Sequence, residues 1–345
     1  MNDASIKNFC IWARNELREQ VRQRLIEWQV SEDAELDLAV VGVRPLSTNE
    51  REQRRELMTL IKDLGEEGLV ERAAYTWFNR FMAIRYMEVN GFLPSGARFL
   101  SDAQGEFHPQ VIVDASSAGI EGIDEQMVFE LIQNADDEKL FRYLFLAQCN
   151  ELADCMPDVF EPIGSAMELL LPKGLLRQGS VVERMVTDIP EDAWRESVQI
   201  VGWMYQYYNA ERKDEVFASF KKGKKADAIS LAPATQLFTP DWIVRYLVEN
   251  SLGRLWMRSH PDSKLVDQMA YYIPDDSSVI SAEAKPPSVI STGGAKRRSG
   301  EISPLTPESI TLVDPACGSG HILVYAFDLL AAIYEEAGYV PREIP

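Results

Sequence analysis

The sequence predicts a mainly α region over residues 1–230, followed over residues 231–345 by the beginning of an α/β domain: a first strand, a glycine-rich loop and a first helix. Three observations carry this. Apolar residues recur at three- and four-residue spacing through most of the first 260 positions, which is the period of one helix face. Residues 310–334 pass from a short β-prone run to small residues and then to a helical pattern. Between 275 and 307 the chain is rich in Ser, Pro, Gly and charge, and reads as a flexible insertion.

Taken in order, Leu17, Val21, Leu25 and Trp28 make the first stripe. Arg14, Arg18 and Arg22 recur every fourth residue on the same helix and read as a solvated face. Val70, Ala74, Trp77, Phe81 and Ile84 make a second stripe, closed by Asn90-Gly91 and Pro94. Glycine accepts the left-handed backbone that ends helices, and proline cannot continue one. Val128, Leu131, Ile132 and Ala135 precede a run through Leu140, Phe141, Leu144, Phe145 and Leu152, and Val198, Val201, Tyr205 and Tyr208 build a further helix. Trp12, Trp28, Trp77, Trp194 and Trp203 read as core anchors. Thr239, Pro240 and Asp241 read as N-cap, first helical proline and acidic first-turn residue, ahead of an apolar stripe of Ile243, Val244, Leu247 and Val248. Residues 264–272 fit neither period.

The formal net charge of −19 argues against a broad DNA-gripping surface. Lys221, Lys222, Lys224 and Lys225 around Gly223, and Lys296-Arg297-Arg298, read as solvated groups. Cys10, Cys149, Cys155 and Cys317 show no Cys-x-x-Cys spacing, and His108, His260 and His321 are scattered, so no metal site is expected and reduced cytoplasmic thiols are. No apolar run approaches a membrane span, and the first residues lack a signal-peptide profile.

The most informative stretch is 311–323, Thr-Leu-Val-Asp-Pro-Ala-Cys-Gly-Ser-Gly-His-Ile-Leu. Ile310–Val313 is β-prone, Asp314-Pro315 ends it, and Ala316, Gly318, Ser319 and Gly320 keep the turn small. From His321 a helix follows, with Ile322, Leu323, Ala326, Leu330, Ile333 and Tyr334 near one face. Such a turn lets a ligand approach main chain without bulky side chains and aims helix-start N–H groups at it. It is not a dinucleotide fingerprint, because Leu323 stands where the third glycine belongs, and no Gly-Lys-Ser/Thr makes it a P-loop.

The run Asp314-Pro-Ala-Cys-Gly-Ser-Gly320 resembles motif I of the S-adenosylmethionine-dependent adenine-N6 DNA methyltransferases. Phe238-Thr239-Pro240 resembles the element those enzymes carry upstream of the loop. Residues 74–94 and the opening 8–18 are similar to the N-terminal region of the large single-chain adenine methyltransferases of PglX type found in BREX phage-defence systems. The resemblance implies a Rossmann-like methyltransferase domain, S-adenosylmethionine as cofactor and DNA as partner. It implies that Asp314, Pro315, Ala316, Cys317, Gly318, Ser319 and Gly320 line the cofactor loop and that Phe238, Thr239 and Pro240 close over the methionine end.

The family's Asn/Asp-Pro-Pro-Tyr/Phe motif, which holds the flipped adenine, is not in the chain; its only Pro-Pro is Pro286-Pro287. No catalytic residue is therefore assigned. The acidic residue expected at the end of a second strand is missing too. The chain reads as the N-terminal, truncated part of a longer enzyme, inactive alone, binding cofactor weakly or not at all, with most DNA recognition lying beyond it. A competing reading is an acidic helical interaction module that binds defence-system proteins. A small-molecule or protein methyltransferase would use the same loop, but the order of the two motifs and the long helical leader favour DNA.

Overall fold

A computed structural model describes residues 3–340 except 158, 161–164, 197–198, 224, 226–237, 275–304, 316 and 318–319. The chain falls into two compact units, Met1–Thr235 and Gln236–Pro345.

The first unit is built from helices α1 (Asp3–Glu27), α2 (Thr48–Asn90), α3 (Gln110–Val113), α4 (Glu125–Gln133), α5 (Asp137–Ala153), α6 (Val181–Asp188), α7 (Glu191–Glu196), α8 (Gln199–Tyr208) and α9 (Ala210–Lys221). A short antiparallel hairpin, β1 (Val40–Val41) with β2 (Arg44–Pro45), turns at Gly42. On α1, Ile6, Phe9, Cys10, Ala13, Leu17, Val21 and Leu25 are buried, at three- and four-residue spacing, and this face packs on α2, α6 and α8.

Helix α2 starts at a capping box in which Ser47 and Glu50 exchange side-chain and backbone hydrogen bonds. It kinks at Gly65 (φ 72°, ψ 166°), a backbone geometry that favours glycine. It ends where the sequence places its end, at Gly91 (φ 71°), with Phe92 N–H donating to Met87 O at 2.8 Å. Past the kink, Trp77 and Phe81 interleave with Phe145 of α5, the ring centroids 6.5 and 5.2 Å away. Trp77 and Trp194 are fully buried; Trp12 and Trp203 are half-buried.

Two polar groups tie this core together. Arg54, 1% exposed, donates to the carbonyls of Trp28, Gln29, Glu35 and Leu36 and so fixes the loop after α1. The Glu88 carboxylate accepts from Phe99 N–H, Leu100 N–H, Ser101 Oγ and Arg85. Burial pushes its pKa up while Arg85 and the Leu100 N–H pull it back.

The arginine repeat on α1 departs from the expected solvated face. Arg14 makes a bidentate pair with Glu71 (3.0 and 2.9 Å), and Arg18 and Arg22 reach Glu67 at 2.8 and 2.5 Å. The two carboxylates sit one turn apart on α2, so the four-residue periods of the two helices match.

The second unit contains α10 (Asp241–Val248), a π-turn (Glu249–Gly253), α11 (Arg254–Ser259), 3-10 turns at Lys264–Gln268 and Pro307–Ser309, and α12 (His321–Glu336). Its core is Val244, Val248, Leu252, Trp256, Leu265, Met269, Ala326, Leu329 and Ile333.

Two expectations change in this unit. Residues 310–313 form no strand: Ile310 is extended (φ −81°, ψ 126°), but the segment has no ladder partner among the described residues, and Val313 is 85% exposed. Extended backbone becomes a strand only by pairing, and a Rossmann-like sheet is not formed by the described residues. Leu247, placed on the apolar stripe of α10, is exposed. Of the flexible insertion expected over 275–307, residues 275–304 lie outside the described residues, and at its end Leu305 N–H donates to Ser259 Oγ at 2.8 Å and Pro307 is buried.

Candidate cofactor site

The two sequence motifs lie at the starts of α10 and α12, and the second unit brings those starts together. The Phe238 ring, 9% exposed, packs edge-on against the His321 imidazole with centroids 4.3 Å apart. Farther along, the Tyr325 hydroxyl donates to Glu249 Oε1 at 2.7 Å. Contacts therefore advance along both helices in the same sense, from 238 against 321 to 249 against 325. The N-terminal ends, where unpaired N–H groups carry partial positive charge, share one end of the unit.

The glycine turn is described at Asp314, Pro315, Cys317 and Gly320; Ala316, Gly318 and Ser319 lie outside the described residues. Gly320 is left-handed (φ 77°) and caps α12, its N–H donating to Cys317 O at 2.8 Å. A Cβ there would meet nothing within 4 Å, so the turn opens onto free space. Cys317 is exposed.

The upstream motif shifts by one residue. Pro240, not Thr239, occupies the N-cap: its carbonyl accepts from Ile243 and Val244 N–H at 3.0 and 3.1 Å, and α10 begins at Asp241. Thr239 makes no capping bond and is half-buried. Pro240 is itself extended (φ −55°, ψ 143°), so helical geometry starts one residue later than the pattern suggests.

Behind these turns runs a polar seam that the sequence reading did not single out. Asp241 and Arg245 on α10 and Glu249, the first residue of the π-turn that follows it, repeat every fourth residue. Arg245 donates to Asp241 at 2.7 Å and stands over the Tyr325 ring at 4.7 Å. The hydrogen bond to Asp241 raises the guanidinium pKa. Glu249 is fully buried, accepting from Tyr325 and, at 2.5 Å, from Tyr271 N–H. Burial and then the bond to Glu249 push the Tyr325 phenol up to about 12. Burial holds His321 below the usual imidazole range, and Asp241 partly offsets this. The signal in the sequence was the i, i+4, i+8 spacing of three charges in an otherwise apolar helix.

A cleft of about 660 Å³ lies at the other end of α12, lined by Trp256, His260, Leu305, Glu336 and Tyr339, away from both turns. Among the described residues no helix is long and apolar enough to cross a membrane, and no group of three or more His, Cys, Asp and Glu side chains is placed to hold a metal.

No family model matches the chain. It is 39% identical over 361 residues to the adenine-specific methyltransferase BrxX of Escherichia coli O9:H4 (strain HS), an alignment covering all of this chain and 28% of that protein. It is 36% identical over 382 residues to the adenine-specific methyltransferase PglX of Lacticaseibacillus casei (strain Zhang), covering 99% of this chain and 30% of that protein. The chain thus spans less than a third of the length of the curated relatives it matches.

Proposed function

The chain belongs, over the stretch it covers, with the adenine-specific methyltransferases BrxX and PglX, and we propose from that premise that it supplies one wall of an S-adenosylmethionine site in a DNA adenine-N6 methyltransferase of a BREX defence system. The observation that carries the reading is the meeting of Phe238 with His321, which sets the Phe-Thr-Pro element beside the glycine turn.

The residues present fit such a ligand. Gly320 offers bare main chain to open space beside the exposed Cys317, and the helix N-termini behind them suit the carboxylate of a methionine moiety. The sulfonium of the bound cofactor makes its methyl group electrophilic. In this reading Asp314 to Gly320 line the cofactor loop, and Phe238 with Thr239 and Pro240 cover the methionine end and exclude water. His321 stays neutral at the back of the site, where an imidazolium would oppose both the helix dipole and the sulfonium. Alignment of the methyl group and stacking of a flipped adenine fall to an Asn/Asp-Pro-Pro-Tyr/Phe element, which this chain lacks. The chain alone transfers no methyl group.

Photolabelling the purified chain with methyl-tritiated S-adenosylmethionine tests the site. Weak label on peptides spanning 238–246 or 314–325 is expected, lost in Gly318→Leu because a side chain takes the space of the cofactor. Equal labelling of that variant removes the assignment. Methylation of an adenine-containing duplex by the 345-residue chain would contradict the division of labour.

A further inference from the structure

We propose that Glu249 and Tyr325 are positioning residues for the glycine turn: their hydrogen bond fixes the register of α12 on α10, and so the place of Gly320 and Cys317 relative to Phe238-Thr239-Pro240. The functional meaning of this register rests on the cofactor reading above; the register itself does not.

The argument begins with what the apolar contacts leave undetermined. Helices α10 and α12 meet through Val244, Val248, Ala326, Leu329 and Ile333, all buried. Such contacts are non-directional. Sliding α12 by one turn, about 5.4 Å, would again set aliphatic side chains against aliphatic side chains. It would also carry the glycine turn away from Phe238. A directional contact is needed to choose one register.

The seam supplies it. Glu249 is fully buried, and its two oxygens are used separately: Oε1 by the Tyr325 hydroxyl at 2.7 Å, Oε2 by Tyr271 N–H at 2.5 Å. Arg245 covers the Tyr325 ring from the same face of α10. The π-turn at Glu249–Gly253 inserts an extra residue at this point, with Arg254 N–H donating back to Glu249 O. Next along, the Asn250 carboxamide accepts from Ile273 N–H at 2.9 Å and donates to Tyr271 O at 2.8 Å, and Arg254 donates to Ile273 O at 2.8 Å. The peptide 271–273 is strapped to the π-turn, and the same carboxylate that holds the strap holds α12. A buried carboxylate is a costly way to pack two helices, and an aliphatic side chain of similar size is often as stable. Its use here is explained by the one arrangement it selects.

Hydrogen exchange read by mass spectrometry on the whole chain tests this, using Tyr325→Phe, Glu249→Leu, Glu249→Gln and, at the far end of α12, Glu336→Gln. Tyr325→Phe removes one hydroxyl and keeps the ring under Arg245, so folding is preserved. Exchange in peptides covering 238–244 and 320–325 is expected to rise together by about fivefold, the worth of one hydrogen bond, while 329–336 stays protected. Glu249→Leu gives a larger rise. Glu249→Gln, which keeps an acceptor for Tyr325, recovers at least half of the protection; Glu336→Gln leaves both peptides unchanged. The proposal is overturned if Tyr325→Phe leaves 238–244 unchanged, if exchange rises equally throughout 241–336, or if Glu249→Gln behaves as Glu249→Leu. Photolabelling of the unsubstituted chain keeps the two readings apart. The exchange pattern without cofactor label defeats the cofactor reading and leaves the register assignment standing; label without the pattern does the reverse.

Discussion

Residues 1–235 bury Trp77 and Trp194 completely, whereas in residues 236–345 Trp256 is 3% exposed and Trp242 is 56% exposed. Among the described residues each unit leaves twelve large apolar side chains exposed, although the second is less than half as long. The first unit has interlocking aromatic rings from α2 and α5, so that its directional contacts at Arg54 and Glu88 add to a geometry that shape already constrains. Among its described residues the second has one cluster of nine buried apolar side chains, and its geometry leans on directional polar contacts such as Glu249 with Tyr325. Where packing cannot choose a register, hydrogen bonds do, and in this chain that is where Phe238 meets His321.

The largest expected effect breaks the comparison at its strong side. Trp77→Ala empties a fully buried site between Phe81 and Phe145, and the loss should be about 3–5 kcal/mol of the stability of the first unit. Urea unfolding followed by circular dichroism measures it; a change below about 1 kcal/mol would mean that the ring cluster collapses freely and does not set the fold.

Next in size is Gly253→Ala in the second unit. Its new Cβ would lie 2.4 Å from Met269 Sδ, so the methionine must move or the π-turn must open. A cost of about 1–3 kcal/mol is expected from overpacking, read as a lower denaturation midpoint. If the variant is neutral, Met269 yields and this core is softer than described. A smaller loss, about 1 kcal/mol, is expected for Ser47→Ala, which removes the α2 cap and leaves Glu50 N–H without its side-chain acceptor.

The helices of the first unit were legible because each signal was local. Gly91 after Val89-Asn90 could end a helix in one way, and Trp77, Phe81 and Ile84 could share only one face. The runs 238–240 and 314–320 stood out as short motifs too, and the structure sets Phe238 against His321. What was not legible depended on partners. Arg14, Arg18 and Arg22 read as solvent-facing because Glu67 and Glu71, which receive them, lie some fifty residues away in sequence. The β-prone run 310–313 has the residue types of a strand, yet strand formation needs a second edge, which the described residues do not supply. Thr239 read as a cap because threonine is a good one; Pro240 keeps an extended ψ of 143°, so the helix starts at Asp241 and the cap position falls on Pro240. Glu249 gave only a spacing, and nothing local says that a carboxylate will be buried.

The smallest expected effect sharpens the comparison at the point where the motifs meet. Burial lowers the His321 pKa below 6.5, so over the window beneath that value the unfolded chain binds a proton that the folded chain resists. Stability therefore rises with pH through this window and is complete above about 6.5. Acidification from pH 7.5 to 5.5 should lower the denaturation midpoint of the second unit slightly. Asp241 limits the effect by favouring the imidazolium, while the α12 dipole disfavours it. The informative quantity is a difference: the pH 7.5 to 5.5 shift of the unsubstituted chain minus that of His321→Phe. Phenylalanine keeps an aromatic edge against Phe238 and cannot take up a proton, so the variant should lose less stability on acidification. Equal shifts in both chains would mean that His321 carries no pH-dependent part of the contact, and the neutral imidazole would then have no bearing on how Phe238 sits beside the glycine turn.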